Sequence, residues 1–457
     1  MKRILFTLTL ALVALAGCKK DPGTEPIAGK VSQIKLVGMP TEFTVGRSVT
    51  ISAVITPDDA TDKSVTFTSS NPEVATVEYT KSEYNYSLAL LKAVGPGKAT
   101  ITATANDGSG VKAEAEVTVI SNAFTSTANC YIITKDGEYT FKAVKGNSSE
   151  SVGSVASAEV LWETFGTDVT PAVGDLVKEV SYNYGEITFK ATARKGNAVI
   201  AAKDAAGNIL WSWHIWLTDQ PKEQEYYHNA RTMMDRNLGA TSATPGDVGA
   251  LGLLYQWGRK DPFLGSSSIS SSTVAKSTNY WPPAVSSDSF RGTIAYAIAN
   301  PTTFITNDNT NYDWYYTGNE VSDNTRWTTS ESSKSIYDPC PSGWRVPDGS
   351  KYGIWSNALG SSSSFTQSSL YDSTNKGVNF SGKFGPPDQT IWYPASGCLY
   401  HYDGSLAKVG NVGFFWSASP NYDYYAYYLL FKFEGYEVRP STKSLRADGL
   451  SVRCVKE

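Results

Sequence analysis

The amino-acid sequence predicts a mainly β protein made of several domains in series. Apolar and polar residues alternate with period two over long stretches; Val49, Ile51, Ala53 and Ile55 fall on one face of such a stretch. Aromatic residues form 12% of the 457 residues and charged residues only 18%, a composition typical of β-rich extracellular proteins. Few segments show a helical period. At ordinary domain sizes, a chain of this length holds about three domains.

The N-terminus indicates export and a lipid anchor. Lys2 and Arg3 precede an apolar run over residues 4–14, which is too short to span a bilayer. The run ends in Leu15-Ala16-Gly17-Cys18, which resembles the lipobox of bacterial lipoproteins. The resemblance implies a lipid on Cys18. We expect an outer membrane lipoprotein exposed at the cell surface, and an anchor on the periplasmic face is the alternative. An ordinary signal peptide followed by a chance cysteine is the alternative.

Residues 31–120 show regular alternation with turn residues between the strands, which predicts an antiparallel sandwich. Two stretches within them, residues 67–77 (FTSSNPEVATV) and 93–101 (AVGPGKATI), resemble the bacterial Ig-like group 2 domain. The chain departs from that family at Phe67, where the family usually has Trp, and in a polar insertion over residues 79–87. The resemblance implies a spacer, because the fold alone provides no binding site.

Residues 121–221 form a second β-rich segment, predicted to be sandwich-like. Its last strand places Trp211, Trp213 and Ile215 on one face and His214 and Trp216 on the other. Such a tryptophan stripe could stack on sugars, but a core position is favoured, and His214 is expected to be structural. This arrangement resembles that of surface lipoproteins of the Bacteroidetes, in which a similar segment precedes the C-terminal domain.

Four stretches of the last segment resemble the Fibrobacter succinogenes major paralogous domain: residues 234–240, 252–262, 338–347, and 415–419 leading to 449–455. The resemblance implies an α+β C-type-lectin-like fold, in the branch shared with formylglycine-generating enzymes. The residues alone allow three pairings of Cys130, Cys340, Cys398 and Cys454. The resemblance implies Cys340–Cys454, with Cys130 and Cys398 free or paired across domains.

The predicted organisation has five segments. They are a signal peptide at 1–17, a flexible linker at 18–30, the Ig-like domain at 31–120, the sandwich-like domain at 121–221 and the lectin-like domain at 222–457.

Two local features of the last segment follow from its residues. A helix is expected over residues 350–359, capped by Asp348 or Ser350, with Tyr352 and Trp355 as apolar anchors. Asp235, Arg236, Arg345 and Arg453 are expected in a partly buried charge network, because a buried arginine needs a partner.

No catalytic or metal-binding constellation is apparent in the sequence. His214, His228 and His401 are scattered, and neither a Gly-rich phosphate loop nor an HExxH motif occurs. Residues 307–313 place oxygen ligands at alternate positions but lack an EF-hand glycine, so a solvated Asx-rich turn is favoured. The net charge of −4 does not indicate the basic surface that nucleic-acid binding requires. We therefore expect no enzyme, metal or cofactor.

Residues 421–425 follow a Trp-Ser-Ala-Ser stretch and resemble the variable region of retroelement-diversified proteins, which ends in a similar Ser-Val-Arg-Cys. In that family, exposed Tyr, Asn, Asp and Ser contact the ligand; an undiversified binding surface would look the same. Tyrosine supplies rigid contact area, and Asn and Ser supply adaptable hydrogen bonds. The expected contact residues are Asn421, Tyr422, Asp423, Tyr424, Tyr425, Tyr436 and Glu437. The candidate aromatic walls are Tyr280, Trp281, Trp314 and Tyr315.

These observations favour a monomeric cell-surface binding protein or adhesin that recognises an extracellular protein or glycan. A pilus or fimbrial tip or assembly subunit is the alternative, because Ig-like sandwiches can exchange strands. A glycan-processing enzyme is less favoured, since two carboxylates would suffice for it but no motif indicates them.

Overall fold

The computed structural model describes residues 29–307, 312–316, 318, 323–330, 333–422 and 424–457. The predicted signal peptide, Cys18 and most of the predicted linker lie outside the described residues. The chain divides into two compact units, residues 1–120 and 121–457, and each is considered by itself. Among the described residues, no helix is long and apolar enough to cross a membrane.

The first unit is a sandwich of two four-stranded sheets. Its strands are β1 (Gln33–Val37), β2 (Glu42–Thr44), β3 (Ser48–Thr56), β4 (Val65–Ser69), β5 (Ala75–Glu83), β6 (Tyr86–Ala93), β7 (Gly97–Ala105) and β8 (Lys112–Ile120). The sheet orders are β1-β3-β6-β5 and β2-β8-β7-β4. Ile51, Ala53 and Ile55 of β3 are buried in the core with Ile101 of β7, which confirms the predicted inward face. The polar insertion extends the β5–β6 hairpin, with an exposed Tyr84 at its turn.

The second unit begins with another pair of sheets. Its first strands are β9 (Cys130–Ile133), β10 (Gly137–Lys142), β11 (Ser157–Thr164), β12 (Val177–Asn183), β13 (Glu186–Ala191), β14 (Gly196–Lys203) and β15 (Ile209–Leu217). They form the sheets β10-β13-β12 and β11-β14-β15-β9. Trp211, Trp213 and Ile215 of β15 are buried between these two sheets. The tryptophan stripe is therefore core.

The opposite face of the four-stranded sheet is also buried, against residues that follow it in the chain. Trp216 joins a cluster that contains Leu238 and Tyr255, and its indole nitrogen donates to the carbonyl oxygen of Ala240 at 3.0 Å. His214 lies on this face, where burial lowers its pKa to about 3. The sequence places a domain boundary near residue 221, whereas the structure gives both segments a shared core.

The rest of the second unit is built around a mixed sheet of order β24-β32-β31-β30-β33-β28-β29, which β18 joins by pairing with β33. The strands before the long hairpins are β16 (Glu223–Glu225), β17 (Thr232–Met234), β18 (Leu254–Gln256), β19 (Val285–Ser286), β20 (Ile305–Thr306), β21 (Thr328–Ser330), β22 (Ser333–Lys334), β23 (Trp344–Arg345), β24 (Phe365–Thr366), β25 (Tyr371–Asp372), β26 (Gly377–Asn379), β27 (Trp392–Pro394), β28 (Cys398–Leu399) and β29 (Leu406–Ala407). The last strands are β30 (Val412–Asn421), β31 (Tyr425–Lys432), β32 (Glu437–Leu445), β33 (Gly449–Ser451) and β34 (Val455–Lys456).

Two short α-helices accompany this sheet, α1 (Ile294–Ala299) and α2 (Ile354–Leu359). The expected helix over 350–359 begins four residues late, because Ser350 adopts a left-handed φ of 76°. Gly353 takes the cap position without a side-chain hydrogen bond. Trp355 is a buried anchor as expected, but Tyr352 is exposed, so that part of the prediction is wrong.

Covalent and ionic links tie the second unit together. The structure contains a disulfide between Cys340 and Cys454, the pairing that the family resemblance implies, while Cys130 and Cys398 are buried free thiols. The expected charge network is divided into separate sites. Their pairs are Arg236 with Asp235 and Asp219, Arg345 with Asp348, and Arg453 with the side-chain oxygen of Asn237 and the carbonyl of Trp392.

Candidate binding site

Most of the expected contact residues lie in the turn that joins β30 to β31. Asn421 pairs with Tyr425 across this turn, and Tyr422 has a left-handed φ of 53°. The side chain of Tyr422 is 78% exposed and that of Tyr424 is 37% exposed, while Tyr425 is half-buried. Asp423 lies outside the described residues. The turn therefore presents aromatic side chains to solvent.

A buried arginine holds the backbone of this turn. The guanidinium of Arg446 donates from Nε to the carbonyl oxygen of Tyr425 at 3.0 Å and from Nη2 to that of Tyr422 at 2.8 Å. The backbone amide of Arg446 donates to the carbonyl oxygen of Tyr424 at 3.3 Å. Arg446 is fully buried, and its charge-assisted bonds are partly buried and hold the turn from below.

Arg446 belongs to a buried cluster with Asp313 and Arg326. Arg326 meets both carboxylate oxygens of Asp313, and Nη1 of Arg446 lies 3.5 Å from the same carboxylate. The indole ring of Trp257 lies 4.4 Å from the Arg446 guanidinium and 4.9 Å from that of Arg326. Bidentate pairing and cation–π contacts make this cluster a rigid base for the turn.

Further side chains border the exposed tyrosines. The ammonium of Lys443, on β32, lies 5.8 Å from the ring centre of Tyr422 and 5.2 Å from that of Tyr425. The side-chain amide of Asn421 donates to the hydroxyl of Tyr427 at 2.5 Å. We call the surface formed by Tyr422, Tyr424, Tyr425, Tyr427 and Lys443 the tyrosine face. It offers flat rings, hydroxyl groups and one ammonium group. These groups are suited to stacking and hydrogen bonding with a ligand more than to catalysis.

Tyr436 and Glu437 do not belong to this face. β31 and β32 pair from Tyr425 with Leu445 to Lys432 with Glu437, so Glu437 lies at the far end of the two strands, about 23 Å away at the usual rise per residue. Arg439 and Lys432 contact the Glu437 carboxylate at 2.7 Å and 2.9 Å and lower its pKa to about 2. Tyr436 packs against the ring of Tyr371. The expectation of one site containing all seven residues is therefore wrong.

The four residues that were expected to form aromatic walls lie in different environments. Trp314 is buried, and its indole nitrogen donates to the carbonyl oxygen of Trp257 at 2.7 Å, so it is core beneath the turn. Trp281 packs against Trp162 of β11, with ring centres 5.4 Å apart. Tyr280 is exposed, and the half-buried ring of Tyr315 lies 5.3 Å from the Arg326 guanidinium. Trp314 is therefore not available as a wall of a site, whereas Trp281 is half-buried.

The oxygen-rich stretch at 307–313 is described only at its ends. Asn307 and Asp313 are both buried, and the Asn307 amide donates to the carbonyl oxygen of Asp313 at 2.7 Å. The expected solvated turn is wrong for these two residues, because Asp313 serves as the carboxylate of the buried cluster. Within the described part of the chain, no group of three His, Cys, Asp or Glu residues could hold a metal ion.

Sequence reasoning missed the residues that support the face. Arg446, Arg326 and Asp313 are distant in sequence, and nothing local marks them as partners. Lys443 and Tyr427 could have been found, since the strand register places them beside each other once the order of β31 and β32 is known. The exposed tyrosines could be predicted from the tyrosine-rich composition of their segment, whereas the buried residues that support them could not.

Comparison with known proteins identifies the first unit. Residues 30–119 match the family model of the bacterial Ig-like domain (group 2). The chain carries this domain at its N-terminal end. An Ig-like virion protein of Serratia phage KSP90 is 36% identical over 77 residues, which are 17% of this chain and 24% of the phage protein. The chain thus spans about a quarter of the length of that relative.

Solved structures with some similarity include surface proteins of bacteria. Domains 5–6 of the S-layer protein SbsC match 42% of this chain and 98% of that chain, with 14% identity and a TM-score of 0.18. The Escherichia coli adhesin FdeC matches 41% and 65%, with 15% identity and a TM-score of 0.20. The Yersinia pseudotuberculosis adhesin InvE matches 50% and 76%, with 11% identity and a TM-score of 0.18.

Proposed function

We propose that the chain is a cell-surface binding protein, an adhesin, that captures an extracellular protein or glycan through the tyrosine face. One observation carries the proposal: exposed Tyr422 and Tyr424 stand on a turn whose backbone is fixed by the fully buried Arg446. A rigid turn loses little conformational entropy when a ligand binds, and tyrosine gives a large contact area for few rotatable bonds.

We also propose that residues 222–457 have the C-type-lectin-like fold. Three features support this assignment. The long antiparallel strands β30, β31 and β32 form the central sheet, and α2 packs on it through Trp355, which shares a core with Phe415 and Phe431. The disulfide links Cys340, just before β23, to Cys454, just before β34.

The proposed location at the outer membrane depends on the lipobox-like sequence that ends in Cys18. A lipid on Cys18 would hold the chain at a membrane through acyl chains. The group 2 Ig-like domain at 30–119 then serves as a spacer between the anchor and the second unit.

The proposed site is tested by replacing Tyr422, Tyr424 and Tyr425 together with Ala in the full chain and screening it on glycan and protein arrays. We expect loss of the ligand that the wild-type chain captures, with the melting temperature lowered by no more than about 4 °C, because Tyr422 and Tyr424 are exposed and only Tyr425 is half-buried. Tyr436→Ala is the matched control, since Tyr436 is 46% exposed but lies at the far end of the strands. Capture by the triple variant at wild-type affinity would reject the site, and so would its unfolding.

A further inference from the structure

A wide polar cavity opens in the second unit between the loop that precedes β9, the loop that joins β10 to β11, and the segment around the disulfide. Its volume is about 580 Å³, within the range of about 300 to 1,000 Å³ that small-molecule sites occupy. None of its lining residues belongs to the tyrosine face. A ligand in this cavity is therefore bound separately from a ligand on the tyrosine face.

A buried lysine forms part of the lining. The side chain of Lys334 is only 8% exposed, and its ammonium donates to the carbonyl oxygens of Cys340 at 3.1 Å and Pro341 at 3.0 Å. Because an ammonium has three N–H donors, one of them remains. A carboxylate oxygen of Glu457, which also lines the cavity, lies 3.8 Å away, too far for a hydrogen bond. A hydroxyl group placed between the two can accept from the ammonium and donate to the carboxylate.

The rest of the lining consists mainly of hydroxyl groups. Those without a hydrogen-bond partner among the described residues belong to Thr125, Ser126, Thr127, Ser149 and Ser342. Lys142, at the end of the edge strand β10, adds an exposed ammonium that has no ion pair in the described part of the chain. Val144 is the one apolar residue of the lining. The cavity therefore offers hydrogen-bond donors and acceptors together and little apolar surface.

Hydrogen bonds fix the walls of this cavity to one another. Asn147, on the β10–β11 loop, has a left-handed φ of 59°. Its side-chain amide donates to the carbonyl oxygens of Ser335 at 2.8 Å and Asp338 at 3.2 Å. These bonds join the β10–β11 loop to the segment that holds Lys334. Because the cavity is already shaped without a ligand, binding costs less conformational entropy.

We propose that this cavity binds a saccharide through its hydroxyl groups, as a second ligand site that is independent of the tyrosine face. A sugar hydroxyl donates and accepts at once, so it matches a lining that mixes ammonium, carboxylate and hydroxyl groups. A purely anionic ligand would meet the carboxylate of Glu457, and an apolar ligand would contact little besides Val144. The inference goes beyond the proposed function, because it places a further binding site elsewhere on the second unit.

The test screens the full chain on an array of mannose, galactose, glucose, fucose and N-acetylglucosamine oligosaccharides and measures affinities by calorimetry. Lys142→Gln removes the exposed ammonium, and Ser126→Phe introduces a bulky ring at the wall of the cavity. We expect at least one oligosaccharide whose affinity falls about tenfold or more in Lys142→Gln, as for the loss of one hydrogen bond to a charged group. Ser126→Phe should no longer bind it. Lys178→Gln and Ser362→Phe are the matched controls, because both residues are exposed and lie outside the lining.

The control variants and the triple tyrosine variant should bind this oligosaccharide like wild type. The inference fails if no oligosaccharide depends on Lys142 and Ser126, because the cavity then holds only solvent, and it fails if the controls lose the same affinity. Binding of inorganic phosphate, and of no oligosaccharide, in a Lys142-dependent manner would show an anion site instead. An oligosaccharide lost both in these variants and in the triple tyrosine variant would contradict a separate site. Failure of the proposed function is distinct, since the triple tyrosine variant would then keep every ligand.

Discussion

At the scale of single residues, Arg446 connects the buried cluster to the exposed turn. Its guanidinium bonds two carbonyl oxygens of the turn and approaches the carboxylate of Asp313. It also lies against the ring of Trp257. A residue that satisfies backbone groups and a buried carboxylate together couples the folding of the core to the shape of the turn. The backbone that carries the exposed tyrosines is thereby held by a fully buried side chain.

Arg446→Met tests this coupling, because it keeps the length of the side chain and removes its donors. We expect the free energy of unfolding to fall by about 3 to 5 kcal/mol, as for the removal of one partner from a buried ion pair. Ligand capture should weaken as well. Arg439→Met, which breaks the more exposed pair with Glu437, should cost about 1 kcal/mol or less. Equal losses in the two variants, measured by urea denaturation, would contradict a special role for Arg446.

At the scale of elements, Asp338 organises the segment between the disulfide and β23. Its carboxylate is buried and accepts the backbone amides of Cys340 at 2.8 Å and Val346 at 2.9 Å. Its own carbonyl oxygen accepts the side-chain amide of Asn129 at 2.9 Å. Burial raises the pKa of the Asp338 carboxyl to about 6. The loop is thus held by a carboxyl group whose protonated form is favoured by burial.

This raised pKa predicts a dependence of stability on pH. The contribution of Asp338 is fully present below pH about 4, where the carboxyl is protonated in both states, and it is lost as the pH rises through about 6. The loss amounts to about 3 kcal/mol at two pKa units. Asp338→Asn cannot ionise, so the difference in unfolding free energy between wild type and variant should change by that amount between pH 4 and pH 7. A constant difference over that range would show that the carboxyl titrates normally.

The elements also show how far the sequence can predict this structure. The period-two pattern placed Trp211, Trp213 and Ile215 correctly, because it depends only on strand geometry. The same pattern did not reveal that Trp216 on the other face is covered, since its cover comes from Leu238 and Tyr255, which no local rule brings there. The late start of α2 depends on the backbone of Ser350, which tertiary packing imposes.

The candidate site was predictable in composition but not in geometry. The residues of the β30–β31 turn were identified by their exposed tyrosines, whereas Tyr436 was assigned to the same site although it lies beyond the far end of β31. Strand order decides which turns share an end of a sheet, and sequence proximity does not. The support from Arg446 is also a product of tertiary packing.

At the scale of the molecule, the segments 121–221 and 222–457 behave as one unit. The side-chain amide of Asn197 donates to the carbonyl oxygen of Gly239 at 2.9 Å, and Trp216 and Trp162 are buried in the shared core. Each fully buried large side chain contributes about 2 kcal/mol. Separating the two segments would expose these side chains and would therefore lower the free energy of unfolding substantially. The two sheets of residues 121–221 therefore support the sheet that carries the tyrosine face.

Two truncated chains test this dependence. Residues 121–457 should unfold in one cooperative transition with strong near-ultraviolet circular dichroism. Residues 222–457 alone should lack that signal and bind hydrophobic dyes, because the partners of Leu238 and Tyr255 are missing. A cooperative transition of the shorter chain at the same temperature would show two independent domains.

The central claim, that the tyrosine face is the binding surface, is tested most directly by hydroxyl-radical footprinting of the unmodified full chain with and without the captured ligand. Tyr422 and Tyr424 should be protected on binding, while Tyr436 at the far end of the strands should be oxidised at the same rate in both states. Protection of Tyr436 with unchanged oxidation of Tyr422 and Tyr424 would contradict the claim.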